Sequence, residues 1–212
     1  MNFHPRILTA KQQKVLTKLG GLAKVEGYYL AGGTALALQI GHRRSVDFDF
    51  FTQQNLDDPL LLASRIQAAG APLETGSVSP GTLFGTISSV KVSFIAYRYP
   101  MLNDLVVWPQ YDLLLAALPD LAAMKLAAIT QRGAKKDFID IAALMSESFT
   151  LEQMLQMYQT KYGIGNIMHL LYSLVYFDDA DQEKMPVMIS RITWPKIKKL
   201  ISAQVNAYVN QS

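Results

Sequence analysis

Asp47 and Asp49 stand one residue apart in the run Ser45-Val46-Asp47-Phe48-Asp49-Phe50-Phe51. On a strand, alternate side chains share a face, so both carboxylates point one way and Phe48 and Phe50 the other. Like charges a few ångström apart repel and resist burial. A divalent cation relieves both problems, and hard carboxylate oxygens suit Mg²⁺ or Mn²⁺, with nucleotide phosphates and water completing the shell. Upstream, Gly32-Gly33-Thr34 ends an apolar run and opens a helix. Free backbone N–H groups and a hydroxyl there suit a phosphate, although the same residues also make a plain helix start. Between the two lies His42-Arg43-Arg44, a basic loop that either stays solvated or meets phosphate and steers an RNA acceptor. A metal pair and a phosphate cradle one helix apart form the layout of a nucleotidyl-transfer centre. There the metal orients a triphosphate and spreads the developing charge.

Two further charged positions lie far downstream. Lys125 has Leu121, Ala122, Ala128 and Ile129 as its helical neighbours, all apolar. It either snorkels outward or is held inward by an anion, because an unpaired buried ammonium is costly. Asp137 and Asp140, three apart, share one face of a helix, and Asp137 near the helix start also suits the dipole. Arg132, Lys135 and Lys136 around them read as solvated surface.

The elements that must position these groups are legible in outline. Thr9 can cap a helix over 10–24, residues 28–31 form a strand into the Gly-Gly turn, and 34–40 a short helix stopped by Gly41. The carboxylate strand spans 46–51, and a helix opened by Pro59 runs to about residue 69. From 73 to 99 the pattern is β, with a hairpin of 82–88 and 90–97 about Ser88-Ser89, and a further strand at 105–108. Helices follow over 120–131, 136–146, 151–162, 166–177 and 195–209. The acidic run 178–183 reads as a solvated loop rather than a metal site. Trp194-Pro195-Lys196-Ile197-Lys198-Lys199-Leu200 reads as an amphipathic surface helix, with an RNA-facing role as the lesser reading. β-rich sequence followed by helices argues for an α+β fold: a mixed β-sheet core flanked by helices, with a helical C-terminal part. The expected division is a core over 1–118 and a helical region over 119–212 packed on it.

Composition sets the limits. With 212 residues, 50% apolar and 17% charged, the chain is globular. No apolar run is long enough for a bilayer, and the first residues carry no apolar core of a signal peptide. Cysteine is absent, which excludes disulfides and thiolate metal sites and fits a reducing, cytoplasmic setting. A net charge of +3 admits an anionic partner without marking a nucleic-acid binder.

The stretch 32–51 resembles the first motif of nucleotidyltransferases in the DNA polymerase β superfamily. It is most similar to the AbiEii/AbiGii toxin family, whose members commonly read Gly-Gly-Thr-x-Leu-x-Leu and then His-Arg-x-Ser-x-Asp-x-Asp-Phe-Phe. Met124-Lys125-Leu126-Ala127-Ala128 and Lys136-Asp137-Phe138-Ile139-Asp140-Ile141 match a second block at a family-like distance. The resemblance spans roughly residues 25–145. It implies a nucleotidyltransferase-like fold and transfer of NMP from an NTP to the hydroxyl of a tRNA, a protein or a small molecule. It also implies pairing with an antitoxin, and a lysine, here Lys125, that serves the phosphates. The expected catalytic set is Asp47, Asp49, Lys125 and Asp137, with Asp47 and Asp49 holding the metal and Asp137 a partner for Lys125 or the nucleotide. The expected nucleotide contacts are Gly32, Gly33, Thr34, Arg44, Lys125 and Asp140. One position departs: superfamily sites usually carry a third carboxylate on a later strand, and Ser93 occupies that place. Serine is no substitute as base or strong ligand. The base then comes from elsewhere, with Asp137 the obvious candidate, or none is needed, or the chain is a silent nucleotide- or RNA-binding module.

Overall fold

The computed structural model describes residues 3–211. Helix α1 (Ala10–Val25) opens with the expected Thr9 cap: Thr9 Oγ1 accepts from the Gln12 N–H while the Gln12 side chain accepts from the Thr9 N–H. Strand β1 (Tyr29–Ala31) runs straight into α2 (Gly32–Ile40), so the two glycines form the first helical turn rather than a turn before it. Gly41, at φ +81°, ends α2 in the left-handed conformation that glycine adopts freely. Strand β2 (Phe48–Thr52) and helix α3 (Pro59–Ala68) follow, then β3 (Leu73–Ser79), β4 (Thr82–Ile87) and β5 (Val90–Ala96). Ser88 and Ser89 take φ of 51° and 66°, the two left-handed positions of a tight hairpin turn. β6 (Val106–Trp108) and β7 (Leu113–Leu115) complete the strands; β7 is too short to carry a periodicity signal and was not expected.

Among the described residues these strands form one seven-stranded sheet in the order β3-β4-β5-β2-β1-β7-β6. β2 is parallel to β5 and antiparallel to β1, so the sheet is mixed, as expected for this α+β fold. Phe84, Ser93, Asp49 and Ala31 are successive cross-strand partners, which puts them in one row on one face. Phe48, Phe50, Val92 and Phe94 point to the other face and are fully buried, with the Phe50 and Phe94 rings stacked at 5.1 Å. Helices α1 and α3 pack against the sheet.

From α4 (Leu118–Gln131) onward the chain is helical: α5 (Lys135–Glu147), α6 (Leu151–Tyr162), α7 (Met168–Val175), α8 (Asp178–Gln182) and α9 (Trp194–Val209). α4 is the hub, packing on α2, α5, α6 and α7, and α9 covers α5, α6 and α7. A buried ion pair pins α4 to α6, with Lys161 Nζ 2.7 Å from Asp120 Oδ1 and 2.8 Å from the Pro100 carbonyl. The acidic run is not the expected loop. It forms the short helix α8, where acidic residues in the first turn suit the helix dipole and Ala180 is buried. Asp181 accepts from the Trp194 indole N–H at 2.5 Å and pairs with Lys198 at 2.9 Å, which fixes the start of α9. Trp194 is thereby used inside the protein, edge-to-face with Phe138 and Phe177. None of the described helices is long and apolar enough to cross a membrane.

Candidate functional site

Asp47 and Asp49 meet at one wall of a cleft of about 450 Å³ that opens between the sheet and α4. β2 starts at Phe48, so Asp47 stands just ahead of the strand, yet both carboxylates line the cleft. The opposite wall is cationic: Lys125 from the middle of α4 and Arg132 from its C-terminal cap, Lys136 from the start of α5, and Arg43 from the loop after α2. Gly32 and Gly33 line it too, and their lack of side chains has a reason. A Cβ on Gly32, which sits at φ +65°, would fall 2.6 Å from Asp49 Oδ2, and one on Gly33 would fall 2.5 Å from Arg43 Nη2. The glycine pair therefore makes room for one carboxylate and one guanidinium.

Thr34 does not face the cleft. It is buried, and its hydroxyl donates to the Asp47 carbonyl, locking α2 to the entry of β2. Arg44 also turns away: it is exposed, lies outside the cleft, and donates its N–H to the Val187 carbonyl at 2.8 Å. The neighbouring Arg43 takes the inward position. The basic run alone could not show which arginine points inward, because the loop has no periodicity.

Behind the cationic wall lies a buried charge cluster. Asp140 is wholly enclosed and accepts a two-pronged contact from Arg43, with Nε at 2.6 Å and Nη2 at 2.8 Å. Lys125 Nζ stands 2.6 Å from its other side and His42 Nε2 at 2.7 Å. Burial pushes the Asp140 pKa up, but Lys125, Arg43 and the His42 hydrogen bond outweigh it and hold the carboxyl well below the ordinary range. Asp137, equally enclosed, accepts from Lys125 at 3.0 Å and from Arg132 Nε at 2.8 Å and Nη2 at 3.0 Å. Burial again raises its pKa, and Arg132 with Lys125 brings it below the usual value.

Neither Asp137 nor Asp140 is among the residues lining the cleft; both stand behind it, Asp137 as the expected partner of Lys125 and Asp140 beside Lys125 and Arg43. Asp137 as general base fits poorly, because three of its four acceptor sites are taken by N–H donors and its proton affinity is lowered. Arg132 and Lys136, read as solvated surface, line the cleft instead. Lys125 is the inward lysine, with its anions supplied by the protein.

Ser93 stands beside Asp49 across the parallel β2–β5 pair, and its hydroxyl donates to Asp49 Oδ1 at 2.7 Å. It thus fills the place where a third carboxylate was sought. Among the described residues, no group of three or more His, Asp or Glu could hold a metal alone. The donor set of two carboxylates open to the cleft fits Mg²⁺ or Mn²⁺, which commonly take one or two carboxylates plus substrate phosphates. The far end of the cleft is apolar, with Phe51, Ile95, Tyr97 and Met124.

Comparison with known proteins bears on the chain as a whole. The family model described as nucleotidyl transferase AbiEii toxin, type IV toxin–antitoxin system, matches residues 16–207. An uncharacterized protein of Aquifex aeolicus is 33% identical over 205 residues, covering 96% of this chain and 98% of the relative. Two solved structures share the fold. MenT4, a nucleotidyltransferase toxin of Mycobacterium tuberculosis, superposes with a TM-score of 0.61 at 13% identity, over 91% of this chain and 80% of its own. The protein JHP933 of Helicobacter pylori superposes with a TM-score of 0.60 at 14% identity, over 97% of this chain and 92% of its own.

Proposed function

Because the chain belongs to the AbiEii nucleotidyl transferase toxin family, we propose that it transfers NMP from a metal-bound NTP to an acceptor hydroxyl, with tRNA as the acceptor. The observation that carries this reading is the facing of Asp47 and Asp49 by Lys125, Arg132 and Lys136 across one cleft. Asp47 and Asp49 would hold Mg²⁺ or Mn²⁺, which neutralises triphosphate charge and polarises the α-phosphate. Gly33 brings backbone close to the phosphates. Arg132 and Lys136 meet the leaving pyrophosphate, and Lys125, fixed by Asp137 and Asp140, keeps its ammonium on the cleft wall. The acceptor oxygen forms a bond to the α-phosphorus as the α–β bridging bond breaks. Its proton passes to Asp47 or Asp49, the carboxylates lining the cleft, or to water. In this reading residues 1–118 form the catalytic core, 119–212 supply the cationic wall apart from Arg43, and a cognate antitoxin restrains the protein in the cytoplasm.

Purified protein incubated with each labelled NTP, Mg²⁺ or Mn²⁺ and total tRNA should label tRNA. Ser93 in place of a third carboxylate supports a second reading, a silent nucleotide- or RNA-binding module. NTP binding without transfer to tRNA, protein or small acceptors, for all four NTPs, would favour the module.

A further inference from the structure

A hollow of about 560 Å³ adjoins the cleft, between the end of α4 and helix α7. Gln131 and Arg132 line both. Its other wall is made by Tyr172, Val175 and Tyr176, with Asp179 of α8 beside them.

Helix α7 carries two apolar stripes. Leu170, Leu171 and Leu174 are buried against the rest of the helical region. Met168, Tyr172, Val175 and Tyr176 fall at positions i, i+4, i+7 and i+8 and form a second stripe. That stripe faces outward: Tyr172 is 69% exposed, Tyr176 54% and Met168 48%. A surface helix ordinarily has one apolar stripe, turned to the core, and polar residues opposite it. A contiguous exposed stripe of tyrosine and methionine, types enriched in interfaces, marks a docking surface.

Charge selects the occupant. Arg132 spends Nε and Nη2 on Asp137, which leaves Nη1 for another acceptor. Asp179 is exposed on the α8 side of the same hollow and has no ion-pair partner among the described residues. A nucleic-acid strand is disfavoured, because Asp178, Asp179 and Asp181 crowd that side against a single arginine. An apolar stripe with a cation on one side and a carboxylate on the other is complementary to itself. Turned about a two-fold axis, it meets stripe with stripe and forms the Arg132–Asp179 pair twice.

We infer that a second copy of this chain docks here, α7 against α7, with Asp179 of each copy reaching Nη1 of Arg132 in the other. Tyr172, in the middle of the stripe, lies nearest the axis. Because Arg132 also lines the cleft, the contact sets a carboxylate of one copy on the cationic wall of the other. The inference needs no transfer chemistry and stands apart from the function proposed above.

Sedimentation equilibrium of the full chain should give a monomer–dimer equilibrium in the micromolar range. Each substitution acts twice in such a dimer. Tyr172→Ala should weaken association about 30-fold, the scale of one interface hot spot. Asp179→Asn should weaken it about 5-fold, as loss of a partly solvated ion pair does. The chain has no cysteine, so a single introduced thiol reports without interference. Oxidation should link Tyr172→Cys into a disulfide dimer and leave Val25→Cys, exposed at the end of α1, unlinked. Wild-type protein that stays monomeric throughout the micromolar range overturns the inference. So does a dimer that Tyr172→Ala leaves intact, or equal linking of the two cysteine variants. A monomer that binds an oligoribonucleotide and loses it on Tyr172→Ala also overturns it, and assigns the stripe to nucleic acid.

Discussion

Ser93 Oγ donates a 2.7 Å hydrogen bond to Asp49 Oδ1 across two parallel strands. The contact fixes the carboxylate against the sheet and occupies one of its lone pairs. The other oxygen is directed toward Gly32.

This arrangement predicts metal-dependent nucleotide binding. Calorimetry of wild type should show triphosphate affinity that rises with Mg²⁺ or Mn²⁺, and Asp49→Asn should abolish that rise. Equal metal-dependent affinity in the two proteins would remove Asp49 from the site.

Ser93→Asp restores a third carboxylate beside Asp49. Like charges at that distance repel until a cation joins them. The variant should melt lower than wild type in chelator and gain more from added Mg²⁺. Melting shifts identical to those of wild type would place the metal elsewhere.

Lys125 separates Asp137 from Asp140, contacting both. Lys125→Met keeps the volume but leaves two buried carboxylates facing each other without the ammonium that bridges them. With the His42 hydrogen bond to Asp140 still in place, the variant should lose about 3 kcal/mol in urea denaturation, the low end for breaking a buried pair. Lys125→Arg should lose less. A variant within about 0.5 kcal/mol of wild type would mark Lys125 as ordinary surface.

Asp140 supplies a pH dependence whose sign is fixed. Its folded pKa is depressed, so its contribution to stability is complete above the unfolded value of about 3.9 and fades as pH falls toward the folded value. Asp140→Asn should be destabilised at neutral pH by about 3–5 kcal/mol. Below pH of about 4 its unfolding curve should be flatter than that of wild type. Parallel curves across that range would contradict the ionised state of Asp140.

Gly33→Ala should cost stability and displace Arg43, since its Cβ would overlap the Nη2 position. Gly32→Ala adds left-handed strain of about 1–2 kcal/mol and pushes on Asp49, so it should weaken metal-dependent nucleotide binding as well. Wild-type melting of both variants would show that the wall adapts freely.

The carboxylate pair, the glycine pair and the inward lysine could be read from the sequence because each breaks a rule that local structure obeys. Alternate carboxylates on a strand, adjacent glycines before a helix and a lysine among apolar neighbours all require a partner. The partners were harder to see. Arg43 and Asp140 lie 97 residues apart and neither has a local signature of burial. Arg132 and Lys136 resemble any exposed cations until α4 and α5 are folded over the sheet. Thr34 was misread for a related reason, since a capping hydroxyl serves a phosphate and a backbone carbonyl equally well. The helix α8 escaped notice because acidic residues suit both a solvated loop and a helix N-terminus, and only Trp194 and Lys198, from α9, decide between them.

The reach of the Arg43–Asp140 contact bears on how the protein comes into being. Synthesis delivers the N-terminal part first, so the loop carrying His42 and Arg43 emerges long before α5. Until Asp140 leaves the ribosome, Arg43 has no carboxylate to draw it inward and Lys125 has none to hold it on the wall. The nascent chain therefore carries the two carboxylates of the cleft early but lacks a closed cationic wall, and the cleft is assembled only when most of the polypeptide has been made.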